Sequence, residues 1–164
     1  MIRKVFFMVF ITMAMTTSVK AQQSLEKEAF IQEYFDDLPE ETIRQAEQMF
    51  AELGFEVKVS TYYSEEYNAR CCHYETTSLD LYEAINLEQQ KKDGVLEYLC
   101  GSLREDPTGE SLEWFIYQFK QLNIGLCWEF TCQDKTKYVI ATPHEIEEFY
   151  YKNKDLIYSA LEEQ

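Results

Sequence analysis

Two short clusters hold the residue types that reactions use. Cys71-Cys72-His73 sets two thiols beside an imidazole, and His144 stands four residues before Glu148 with Glu145 next to it. On a strand, Cys71 and His73 share a face while Cys72 points the other way. Neighbours at i and i+2 lie about 7 Å apart along the chain, too far for the imidazole to take the thiol proton directly. His144 and Glu148 lie one turn apart on a helix, but a zincin helix needs histidine at both positions. A zinc site also needs at least three protein ligands, and no third is indicated. Paired carboxylates recur at Asp36-Asp37, Glu65-Glu66 and Glu147-Glu148, and their abundance marks solvated faces. A glycosidase pair would have to converge on one cleft. Calcium-loop spacing, a glycine-rich phosphate loop and a serine elbow are all missing. No catalytic residue, metal ligand or cofactor is assigned.

A recognition surface is the stronger motif. Tyr62, Tyr63, Ser64, Glu65, Glu66 and Tyr67 crowd the turn of a predicted hairpin. Tyrosine on a loop offers large contact area at low entropic cost, and adjacent carboxylates favour a basic partner. The expected binding residues are Tyr62, Tyr63, Glu65, Glu66 and Tyr67. The plainer alternative is that Tyr63 continues the inward face of its strand and the others cover the hairpin.

Residues 1–21 have the order of a secretory signal peptide. Arg3 and Lys4 precede the apolar run Val5 to Met15, and Val19-Lys20-Ala21 offers a cleavage site. The run is too short to span a bilayer as a helix, which takes about 20 residues. The expectation is an exported chain, periplasmic or secreted, beginning near Gln22, with no stable membrane insertion after cleavage. Cleavage would remove Arg3, Lys4 and Lys20 and no acid, leaving 12 basic against 30 acidic residues and a formal charge of −18. Such a field repels phosphate backbones, so nucleic acid is excluded as a partner and a basic protein is favoured. Fifteen per cent aromatic residues with only five Gly and three Pro argue for a packed core despite the charge.

Five cysteines (Cys71, Cys72, Cys100, Cys127, Cys132) leave at least one thiol unpaired in a monomer. Cys127 and Cys132 would point to opposite faces of one strand about 16 Å apart, too far to bridge. Connectivity among the rest stays open.

The elements that position these residues recur. Ile43, Ala46, Phe50 and Leu53 fall at helical spacing, and Leu112, Phe115, Phe119 and Leu122 repeat it 69 residues later. Each helix stops at Gly54 or Asn123 and runs into alternation: Phe55, Val57, Val59, then Ile124, Leu126, Trp128, Phe130. Polar turns at 64–68 and 133–137 lead to second strands near 69–75 and 137–142. Helices then start at Thr77-Ser78-Leu79-Asp80 and at Thr142-Pro143-His144-Glu145, the latter a capping box with proline at the first position. An N-terminal helix over 24–37 with Ser24 as cap, a helical segment at 94–104 with Gly94 as a break, and a linker at 104–109 complete the chain.

The expected fold is one α+β domain over 22–164. Two α-β-β-α halves, about 39–92 and 108–162, build one small antiparallel sheet of about four strands with helices on one face. The expected function is a non-enzymatic, exported protein-binding module, with an inhibitor or immunity-type role in a bacterial envelope among those that fit. The alternative is a small hydrolase whose carboxylates or Cys–His groups converge only in three dimensions. A third is a scaffold in which the spare cysteine cross-links two chains.

Overall fold

The computed structural model describes residues 22–35 and 39–162. The described residues fall into two compact units, 22–35 and 39–162. In the first, helix α1 (residues 22–34) sets the Phe30 ring 5.0 Å from Tyr34 and 5.5 Å from Phe35. A hydrogen bond from Gln22 to Glu26 (3.2 Å) supports a turn ahead of Ser24, so Ser24 lies inside the helix rather than capping it. The expected leader, residues 1–21, and the Asp36-Asp37 pair lie outside the described residues.

The second unit is an α+β fold, a four-stranded sheet with helices packed on it. Its elements run α2 (Glu40–Glu52), β1 (Val57–Ser64), β2 (Ala69–Thr76), α3 (Leu79–Ala84), α4 (Leu87–Glu105), α5 (Glu110–Leu122), β3 (Gly125–Cys132), β4 (Lys135–Ala141), α6 (Pro143–Lys152) and α7 (Lys154–Glu162). The strand order is β1-β2-β3-β4. Both hairpins are antiparallel, but β2 and β3 at the centre are parallel. This corrects the expectation of an antiparallel sheet. Between β2 and β3 the chain passes through α3, α4 and α5, and that crossover carries it back to the end where β2 began.

The order helix–strand–strand–helix recurs in both halves. Their hairpins nevertheless turn to opposite hands seen from the helices, because β1 and β3 run in opposite senses while both aim apolar residues at that side. The first turn spans four residues, 65–68, and the second only two, 133–134. Lys135 already pairs with Cys132, so the second turn is shorter than the expected 133–137. Positive φ at Gln133 (56°) and Asn68 (50°) closes these turns without glycine.

Period two sorts the sheet residues. Rows on the helix side read Thr61, Cys72, Trp128, Val139 and Val59, Tyr74, Phe130, Lys137. Phe50 of α2 meets Tyr74 edge-on at 6.0 Å, and Tyr74 stacks on Phe130 at 5.1 Å. Trp128 lies against Gly94 of α4, where an added Cβ would sit 2.3 Å from the indole. That contact explains why Gly94 is an interior helix position and not a break. The break falls at Ile85, with Asn86 capping α4 by accepting from the Gln89 amide at 3.1 Å. Behind these side chains, Leu99 and Leu103 of α4, Leu112 and Phe119 of α5, Ile146 and Tyr150 of α6, and Ile157 of α7 complete a buried core.

The capping box read from the sequence at Thr142 forms, whereas the weaker Thr77–Asp80 version does not. Thr142 accepts from the Glu145 amide (3.2 Å) and Glu145 returns to the Thr142 amide (2.8 Å). In the first half Ser78 is the cap, accepting from the Leu81 amide at 3.2 Å. Among the described residues no helix is long and apolar enough to cross a membrane.

Candidate functional site

The sheet face turned away from α2–α7 carries the polar alternates of the same strands. Cross-strand register sets three rows there: Tyr62, Cys71, Cys127, Ile140; then Ser60, His73, Glu129, Tyr138; then Lys58, Glu75, Thr131, Thr136. The first two rows hold two thiols, an imidazole, a carboxylate and two phenols on adjacent strands.

Contacts within the rows are specific. Tyr62 donates its hydroxyl to Glu129 Oε1 at 3.1 Å. His73 Nε2 lies 2.8 Å from Thr131 Oγ1 and 3.8 Å from Glu129 Oε1. Cys71 and Cys127 are fully buried with Ala69, and Tyr67 and Ile140 pack against them. Tyr67 reaches them by folding back from the turn, its ring stacked on Tyr138 at 4.5 Å and 24°. Tyr62 and Tyr138 remain 39% and 46% exposed, large aromatic surface on a sheet face.

Burial against the sheet raises the Tyr62 hydroxyl above the usual phenol range, and negative charge at Cys71 and Glu129 adds to it. It therefore acts as a proton donor. The Tyr67 hydroxyl is raised as well, first by desolvation and then by Glu129 and Glu66. Cys71 is lowered, chiefly by a hydrogen bond from Cys127, with burial acting the other way. Cys127 is raised by the same pairing and by burial.

The turn residues expected to bind do not form one patch. Tyr62 belongs to the sheet face and Tyr67 folds onto it, while Glu65 and Glu66 project from the turn into solvent. Tyr63 lies in the opposite row with Arg70 and Leu126, half-buried, its hydroxyl donating to Asn68 Oδ1 at 2.7 Å. The Asn68 amide in turn donates to the Asn123 carbonyl, and the Gly125 amide to the Asn68 carbonyl at 3.0 Å. These bonds fasten the turn to the start of β3. Glu129 and Tyr138 escaped notice in the sequence. Glu129 alternates with Trp128 and Phe130, which gives its outward direction, whereas Tyr138 stands between Lys137 and Val139 and carries no such signal.

The chemical reach of the face is limited by its geometry. A nucleophile–histidine–carboxylate relay puts the hydroxyl and the carboxylate on opposite ring nitrogens. Here Thr131 and Glu129 both address Nε2 of His73. His144 and Glu148 are exposed on α6, away from these rows. Among the described residues no three His, Cys, Asp or Glu side chains are grouped to hold a metal. No family model, curated protein or solved structure matches the chain.

Proposed function

We propose that the protein is a non-enzymatic binding module that engages a basic protein through the sheet face holding Tyr62, Glu129 and Tyr138 and through the adjoining turn. One observation carries this reading. Two exposed phenols flank a carboxylate on a face whose opposite side is buried, and Glu65 and Glu66 extend the negative charge beyond it. Interfaces favour tyrosine on well-ordered backbone, and a hydrogen-bonded sheet holds these rings in place. A basic side chain reaching Glu129 would displace or share the Tyr62 hydroxyl and lie against aromatic faces, where a cation is attracted by the ring quadrupole.

The leader-like residues 1–21 suggest that binding takes place outside the cytoplasm, where an inhibitor or immunity-type role fits. The His73–Thr131–Glu129 arrangement disfavours the hydrolase alternative.

Tagged protein spanning Gln22 to Gln164 should retain a dominant partner from envelope extract at moderate salt. The Tyr62→Ala/Tyr138→Ala/Glu129→Gln variant should lose it while keeping the native circular dichroism spectrum. Retention by that variant, or recovery only at low salt, would exclude this face as the binding surface.

A further inference from the structure

We propose that Cys71 and Cys127 form a cross-strand dithiol that closes to a disulfide by exchange with an external small-molecule disulfide, linking the two hairpins across the parallel seam. The two residues are register partners on β2 and β3 and share the face away from α2–α7. Neighbouring strands lie about 4.7–4.9 Å apart, inside the range of about 4.4–6.8 Å that a disulfide accepts between Cα atoms. The other cysteines are placed elsewhere. Cys72 and Cys132 point to the helix side, and Cys100 belongs to α4. All five are free thiols in this structure. Binding of a protein partner is not required for this chemistry.

The environment orders the two thiols. Cys127 donates toward Cys71, which holds Cys71 below its ordinary value and makes it the attacking sulfur, while the Tyr62 proton is committed to Glu129. Its thiolate attacks one sulfur of R–S–S–R, forming a mixed disulfide and releasing R–S⁻. Cys127 then gives its proton to that released thiolate or to water and attacks the Cys71 sulfur. The mixed disulfide breaks and the second R–S⁻ leaves. Two protein thiols are oxidised and one external disulfide is reduced to two thiols.

Entry to the pair runs past Tyr67. Its ring belongs to a turn and is only partly buried, whereas the thiols beneath are fully covered. Local opening of the turn therefore admits a small disulfide without unfolding the sheet.

The purified protein is equilibrated in glutathione redox buffers, its free thiols are alkylated, and linkages are mapped by non-reducing peptide mass spectrometry. Before alkylation the expected product is a monomer about 2 Da lighter, the mass of two thiol hydrogens. Alkylation in denaturant then finds Cys71 joined to Cys127 and labels Cys72, Cys100 and Cys132. Cys127→Ala should stop at a glutathione adduct on Cys71. Tyr67→Ala should speed closure about tenfold by raising the open population. Alkylation of both Cys71 and Cys127 in fully oxidising buffer would overturn the proposal, as would linkage of either to another cysteine or to a second chain. Should Cys127→Ala fail to fold, the wild-type linkage map and the Tyr67→Ala rate still decide.

Discussion

Tyr150 shows how one side chain is both core and polar contact. Its residue is fully buried, and its hydroxyl donates to Glu113 Oε1 at 3.0 Å with Tyr158 Oη 3.3 Å away. Lys154 reaches the same carboxylate oxygen at 3.1 Å and lies over the Tyr150 ring at 5.4 Å. Tyr150→Phe keeps the packed ring and removes only the hydroxyl. Glu113 keeps Lys154 as a partner, so the loss should be about 1 kcal/mol, the net worth of one hydrogen bond, read from urea unfolding. Tyr150 stands one turn after Ile146, the spacing of an inward helical row, and both are buried. The Glu113 contact joins helices 37 residues apart in sequence, and no local pattern announces such a partner. The same limit hid the Cys71–Cys127 pair, since alternation assigns each a face but leaves the parallel register between hairpins undetermined.

At the scale of the element, α4 offers two glycines in one helix with opposite surroundings. An added Cβ at Gly94 meets the Trp128 ring at 2.3 Å, while at Gly101 it meets nothing within 4 Å. Alanine in a helix interior gains about 0.5–1 kcal/mol over glycine when nothing obstructs it. Gly101→Ala should therefore stabilise by about that amount. Gly94→Ala should instead destabilise by about 1–2 kcal/mol, because overpacking against a rigid indole outweighs the propensity gain. Thermal unfolding of the two variants beside the parent measures both signs. Gly94 reads as a helix breaker in the sequence because its reason to be glycine lies on β3, whereas Asn86, the actual cap, sits in plain view. The α4–α5 link supplies a pH prediction. The Ser111 hydroxyl first, then Thr108 Oγ1 (2.7 Å) and the Ser111 and Thr108 amides (3.1 and 3.2 Å), donate to Asp106 and hold its carboxyl at about 2, below the ordinary value. A carboxyl depressed on folding adds stability above its unfolded value near 4, and that contribution fades as pH falls through about 2. Asp106→Asn should be less stable at neutral pH, and its loss of stability on acidification should be shallower than that of the parent. Parallel acid-unfolding curves would contradict this account of the link.

Across the whole molecule, the α+β class and the placing of helices on one side were legible because period 2 and period 3.6 alternate cleanly along the chain. The pairing of β2 with β3 was not, because nothing local in either strand says whether a three-helix crossover returns the chain parallel or antiparallel. Charge is the other property of the molecule as a whole, and it leads to a prediction about salt. The chain has 30 acidic residues against 15 basic ones. Much of the attraction available to offset that excess sits in exposed pairs, such as Arg44–Glu41 and Lys154–Glu113. Exposed pairs contribute little, and a large net charge of one sign destabilises the compact state by self-repulsion. Salt screens both, with a Debye length of about 30 Å at 0.01 M and 8 Å at 0.15 M. The repulsion acts over longer distances than the contacts, so screening should remove more of it than of them. Raising sodium chloride across that interval should therefore raise the thermal midpoint by about 2–5 °C, the shift that about 1 kcal/mol produces in a domain of this size. Calorimetry at fixed pH decides it. A midpoint that stays level or falls would mean that the surface pairs balance or outweigh the repulsion, and the excess of acid would then have to be explained by what the protein binds.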